Sequence, residues 1–140
     1  LLANEAGLKE QGLEPLAEIV SSAVLGVEPR IMGIGPVKAS ELALQRAGIG
    51  FDDIDVIELN EAFAVQTLAC IRQWGLADDD KRINPNGGGI SLGHPLGVTG
   101  SRILLAAARQ LKRTGGKFGL VTLCIGVGQG YAVVIKNTQA

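Results

Sequence analysis

Residues 55–64 read Asp-Val-Ile-Glu-Leu-Asn-Glu-Ala-Phe-Ala, and the change of character inside them decides the fold. Asp55 to Leu59 is a short strand carrying β-branched residues, and it runs directly into Asn60. Asn60 or Glu61 then opens a helix expected to reach Trp74 and to close at Gly75. A short polar side chain satisfies free N–H groups at a helix start, and glycine accepts the left-handed turn at its end. A strand-to-helix junction is therefore expected at Asn60.

The alternation extends in both directions. Upstream, Leu2 to Gln11 is helix-like and ends at Gly12, Pro15 to Leu25 is an apolar strand closing at Gly26, and Pro36 opens a helix over Val37 to Ala47. That helix stops at Gly48, before the turn Gly50-Phe51-Asp52-Asp53. Leu1-Leu2 reads as the stub of an earlier strand, as in a chain cut from a longer one. Downstream, Gly87, Gly88, Gly89, Gly93, Gly97 and Gly100, with Pro85 and Pro95, make 84–100 a structured loop rather than a regular element. Ser101 to Arg113 is a helix with apolar positions 103, 104, 107, 108 and 111 on one face. Phe118 to Ile125 and Tyr131 to Ile135 are strands whose short connection favours antiparallel neighbours. The pattern predicts an α/β fold: a mainly parallel mixed sheet, helices on both faces and an antiparallel last strand. In such sheets ligands bind beyond the carboxyl ends of the parallel strands.

Composition narrows the function classes. The chain has 140 residues, 46% of them hydrophobic and 19% charged, which gives one globular domain rather than a disordered segment. A net charge of −1 provides no basic field for nucleic acid. Apolar runs fall well short of the ~18 residues a membrane span needs. Two cysteines without a CxxC pair and a single histidine do not assemble a zinc site. Free thiols suit a reducing compartment, cytoplasmic or an organellar matrix in a eukaryote.

Three segments carry candidate chemistry. His94 stands between glycines and before Pro95, presented on a shaped loop ahead of a helix whose N-terminal dipole favours the neutral imidazole. Against this, a lone histidine is commonly structural. Cys124 ends a strand and is followed by Gly126, whose N–H can approach a ligand closely; the plain alternative is an inert buried cysteine, the reading given to Cys70. Asn60 and Glu61 place an amide and a carboxylate at the sheet edge, or simply cap a helix. Gly126-x-Gly128-x-Gly130 is no dinucleotide fingerprint, and Gly87-Gly88-Gly89 is no P-loop; the triplet reads as close backbone packing or a ligand-shaped loop.

In this order, Asn60-Glu61-Ala62-Phe63-Ala64, then Gly87-Gly88-x4-Gly93-His94-Pro95-x-Gly97-x2-Gly100, then Cys124-x-Gly126-x-Gly128-x-Gly130, the chain resembles the C-terminal domain of the thiolases over essentially its whole length. The resemblance implies coenzyme A-dependent cleavage of a 3-ketoacyl-CoA, or the reverse Claisen condensation, by ping-pong acyl transfer through a cysteine in an N-terminal half that residues 1–140 do not include. It implies that Cys124 moves a proton to or from the α-carbon and that His94 activates the nucleophilic thiol. Asn60 then holds a water in one oxyanion hole, the Gly126 N–H is a donor of another, and Phe63 lines the pantetheine channel. Acyl-CoA and coenzyme A are implied as substrates, with no covalently bound cofactor, and a thiolase N-terminal domain and a further copy of the chain, in a dimer or tetramer, as partners. The run from Leu76 to Arg82 is similar to degradative thiolases, including those acting on 3-oxoadipyl-CoA. Decarboxylating condensing enzymes share the fold but generally pair the nucleophile with His/His or His/Asn, so Cys124 and the Asn-Glu-Ala-Phe segment favour the thiolase branch. The alternative from another class is a standalone binding or dimerisation domain without catalysis.

Overall fold

A computed structural model describes Leu1–Gln139. Helix α1 (Glu5–Gln11) starts at Asn4, whose side chain accepts the Gly7 N–H at 2.9 Å, and ends at Gly12 with φ 61°. Strand β1 (Ala17–Gly26) follows, then a 3-10 turn (Pro29–Ile34) and α2 (Gly35–Ala47), closed by left-handed Gly48. Next come β2 (Ile54–Leu59), α3 (Ala64–Gln73), the single turn α4 (Gly89–Leu92) and α5 (Thr99–Thr114). A hairpin of β3 (Phe118–Ile125) and β4 (Gln129–Asn137) ends the fold.

The sheet order is β1-β4-β3-β2. Strands β1 and β3 both run antiparallel to β4, while β2 runs parallel to β3. So β1, β2 and β3 share one direction and β4 opposes them, as the alternation required. The last strand is not appended at an edge, however: it fills the position between β1 and β3. One face is covered by α2 and α3, which pack Val37, Ala43, Leu44 and Ile71 on Ile57, Leu59, Leu120 and Val134. On the other face α5 packs Ile103, Ala107 and Leu111 on Val56, Val121 and Ile135. Burying such side chains at about 25 cal/mol per Å² of apolar area is what holds the layers together.

Leu1 and Leu2 are exposed and lie outside the sheet. One local expectation is corrected. Helix α3 begins at Ala64, after an extended Phe63 with φ −148°, and neither Asn60 nor Glu61 caps it. The Asn60 N–H is already committed to Thr122 O at 3.0 Å, which prolongs the β2/β3 ladder past Leu59. Within the glycine-rich loop, α4 is a short regular turn the glycine content hid.

Candidate active site at the carboxyl edge of the sheet

The parallel strands β2 and β3 end side by side, and three devices hold that end. Asn84, at φ 45°, acts as an extra strand residue: its Oδ1 accepts the Leu59 N–H at 2.9 Å and its Nδ2 donates to Leu59 O at 2.8 Å. Asparagine tolerates the left-handed backbone this requires. The same Nδ2 lies 3.2 Å from Glu61 Oε1, while Glu61 Oε2 accepts the Ile90 N–H at 3.0 Å. Glycine is demanded opposite: a Cβ on Gly88 would fall 2.3 Å from Glu61 Cδ, and one on Gly89 2.9 Å from Glu61 O. The triplet Gly87-Gly88-Gly89 therefore serves close packing, and the Glu61 carboxylate ties two loops together.

Asn60 projects from this clamp, 1% exposed, with its Nδ2 3.4 Å from His94 Nε2. The other ring nitrogen, Nδ1, lies 2.8 Å from Thr99 Oγ1, and the Thr99 hydroxyl donates to Pro95 O at 3.2 Å. With its proton spent on Pro95, the hydroxyl accepts from Nδ1–H, so Nε2 carries the free lone pair. The imidazole itself is exposed and Thr99 is buried. Asn60 Oδ1 is buried without a protein partner. This is the orientation of a base: one nitrogen anchored, the other presented.

Cys124 is the next-to-last residue of β3 and is 8% exposed. Burial pushes its thiol above the ordinary cysteine range, and its own backbone N–H pulls it slightly back. Among the described residues no hydrogen bond joins it to His94 or Asn60; it stands two residues past Thr122, the partner of Leu59. Gly126 is exposed, and a Cβ there would meet nothing within 4 Å. Cys70 is fully buried, hydrogen-bonds Gly33 O and Gln66 at 3.5 Å, and is pushed up to about 11 chiefly by burial. That is an inert thiol. Phe63 is 68% exposed.

Of the residues singled out in the sequence, the structure brings Asn60 and His94 together; the sequence reading passed over Thr99 and Asn84. A hydroxyl in the first helical turn after His-Pro was the available signal for Thr99; nothing local distinguishes Asn84 from Asn86. A groove of about 530 Å³, lined by Glu61, Thr67, Ile71, Asp79, Asn84 and Ile90, includes none of Asn60, His94 or Cys124. No group of three potential metal ligands is found among the described residues, nor a helix long and apolar enough to cross a membrane.

With the geometry in place, the likeness to known proteins has meaning. A family profile described as "Thiolase, C-terminal domain" matches residues 13–137. The 3-oxoadipyl-CoA/3-oxo-5,6-dehydrosuberyl-CoA thiolase of Escherichia coli K12 is 54% identical over 137 residues, which is 98% of this chain and 34% of that protein. The beta-ketoadipyl-CoA thiolase of Pseudomonas aeruginosa is 53% identical with the same coverage, and a 3-ketoacyl-CoA thiolase of Klebsiella pneumoniae is 53% identical over 98% of this chain and 36% of that one. Human mitochondrial 3-ketoacyl-CoA thiolase, in two crystal structures of which one is a complex with CoA, superposes with a TM-score of 0.93 at 48% identity, covering 97% of this chain and 34% of that one. The chain spans about a third of the length of the curated relatives it matches.

Proposed function

Because the chain belongs to the thiolase family, through that family's C-terminal domain, we propose that it supplies the acid/base half of a coenzyme A-dependent thiolase. The observation that carries this reading is the Thr99–His94–Asn60 relay, which fixes an imidazole with its free nitrogen beside a buried amide. His94 Nε2 takes the proton from a nucleophilic thiol, which attacks the 3-keto carbon of the substrate. Neither cysteine here fills the nucleophile's role: Cys70 is sealed in the core, and Cys124 is needed for a second proton. The attacking thiol comes from a thiolase N-terminal domain outside these 140 residues.

Breaking the bond between C2 and C3 leaves the enolate of the departing acyl-CoA, and Cys124 gives its proton to that carbon. A thiol held above its ordinary range is protonated at rest, as this step needs. The thiol of coenzyme A then takes the acyl group from the enzyme, and the condensing direction reverses each step. Asn60 Oδ1, buried and unpartnered, suits a water in one oxyanion hole, and the N–H of exposed Gly126 suits a donor in the other. Exposed Phe63 fits the pantetheine arm. A 3-oxoadipyl-type or a general 3-ketoacyl substrate fits this chemistry equally, since relatives of both names stand within one point of 53% identity. Exposed Ile19 and Val24 on β1 suit association with the N-terminal domain or a second copy.

In the complete enzyme, Cys124→Ala should abolish carbon–carbon cleavage yet still allow acyl-CoA to acylate the nucleophile, as read by mass spectrometry. Equal loss of acylation and turnover sinks the division of roles. His94→Ala should slow acylation by about 10²-fold or more; a rate within about twofold of wild type rules the base out.

A further inference from the structure

Between the glycine triplet and the His94 imidazole the chain passes through Gly93, and a cation that the proposed reaction does not use holds that residue. Gly93 has φ 87° and ψ 167°, a backbone region open essentially to glycine alone. A Cβ there would meet nothing within 4 Å, so packing does not fix the turn. Two hydrogen bonds do. The Gly93 N–H donates to Gly89 O at 2.9 Å, closing α4, and the Gly93 carbonyl accepts from Nη1 of Arg102 at 2.9 Å.

Arg102 lies on α5, three residues after Thr99 and so on the same side of the helix. The two side chains grip consecutive residues: Thr99 Oγ1 takes His94 Nδ1 at 2.8 Å, and Arg102 takes the carbonyl just before it. The helix itself gains nothing from this arginine, since a cation in the first turn faces the positive end of the macrodipole. Among the described residues Arg102 is in none of the ion pairs, and its Nη2 is buried without a partner, a further cost. The Gly93 carbonyl is the contact that explains it.

We propose that Arg102 is a positioning residue for His94: its guanidinium pins the Gly93 carbonyl, and so fixes the turn that delivers the ring to Thr99 and Asn60. Glycine provides the conformation of that turn but not its rigidity. The proposal rests on reading His94 as the base, but the ring geometry can be tested apart from the chemistry. His94 is the only imidazole of the chain. Labelling this segment alone with 15N-histidine and ligating it to the unlabelled remainder therefore gives two unambiguous ring-nitrogen resonances in the complete enzyme, read by magic-angle-spinning NMR. Arg102→Met should lower the fraction of the Nδ1–H tautomer by about twofold or more, while Arg102→Lys, which keeps a donor and the charge, should recover part of it.

The same Arg102→Met enzyme should acylate about tenfold more slowly in a single turnover, with KM for acyl-CoA within about twofold, and the substitution should add nothing in a His94→Ala background. If Arg102→Met does not fold, Arg102→Gln, too short to keep the bond to Gly93, carries the same readouts. An unchanged tautomer ratio overturns the positioning role, as does a rate loss equally large with and without His94. A shifted ratio with undiminished acylation leaves the positioning in place and overturns His94 as the base instead.

Discussion

Two glycine-rich connections meet at the carboxyl edge of the sheet, and they are held in opposite ways. The loop 84–98 that presents His94 is fastened by side chains: Asn84 on Leu59, Glu61 on Ile90, Thr99 on the imidazole and Arg102 on Gly93. The hairpin after Cys124 is fastened by backbone against backbone. A Cβ on Gly130 would fall 2.1 Å from the Gly35 carbonyl carbon, and one on Gly128 2.3 Å from Val27 O. The difference teaches where each group can be tuned. A loop held by side chains responds to charge and protonation, whereas a hairpin held by backbone contact responds only to volume.

The largest test of that contrast is Gly130→Ala. Both sides of the contact are main chain, so nothing swings away, and the loss should reach about 4 kcal/mol or prevent folding. Urea unfolding of the variant gives the number. A loss below about 1 kcal/mol would show that the hairpin has slack.

Next comes a response to pH at Glu58, buried on strand β2. Burial raises the Glu58 carboxyl from its ordinary 4.5 to about 7, against the pull of Arg102 and with the help of Glu61. Between these values the folded state holds a proton that the unfolded state has released. The group's stabilising contribution is therefore complete below 4.5 and is lost as pH rises through about 7. Over that window the wild type should lose up to about 3 kcal/mol relative to Glu58→Gln. Parallel stability curves for the two proteins would show that Glu58 titrates as an exposed carboxyl.

Gly88→Ala should cost less than Gly130→Ala although its clash is nearly as close, because the atoms it meets belong to the movable end of Glu61. About 2 kcal/mol is expected, and the loss should be smaller in a Glu61→Ala background, where the obstacle is gone. Strict additivity of the two substitutions would mean that the backbone, not Glu61, sets the limit.

How far the sequence disclosed this edge follows from the same division. Strand β2, helix α5 and the β3/β4 hairpin were legible because each carries a local signal: apolar alternation, a 3.6-residue stripe or a glycine-bounded turn. The ordering of β4 between β1 and β3 was not, since it depends on pairing over distances that no window contains. At the site, Asn60 and His94 stood out by type and setting, yet Asn60 was equally readable as a helix cap. Only the start of α3 at Ala64, with Phe63 before it, removes that alternative. Thr99, Asn84 and Arg102 were passed over because what they hold, a ring nitrogen, a strand end and a carbonyl, is defined by the fold and not by neighbours in the chain.

The smallest effect is expected at Val127, where the backbone-held hairpin carries its one avoidable strain. Its φ of 69° lies in the left-handed region, which a β-branched residue enters at a cost of about 1–2 kcal/mol. Its side chain is 84% exposed and so recovers little of that cost by packing. Val127→Gly removes the strain but loosens the unfolded chain, a penalty of about 0.5–1 kcal/mol. The net gain should be about 0.5 kcal/mol or slightly more, read as a small rise in the urea midpoint at constant slope. The neighbouring contacts at Gly128 and Gly130 should keep Gly126 and Cys124 where they are, so turnover of the complete enzyme should not change. If stability rises while turnover falls, the valine is there for what it touches in the assembled site, and the strain is maintained for function.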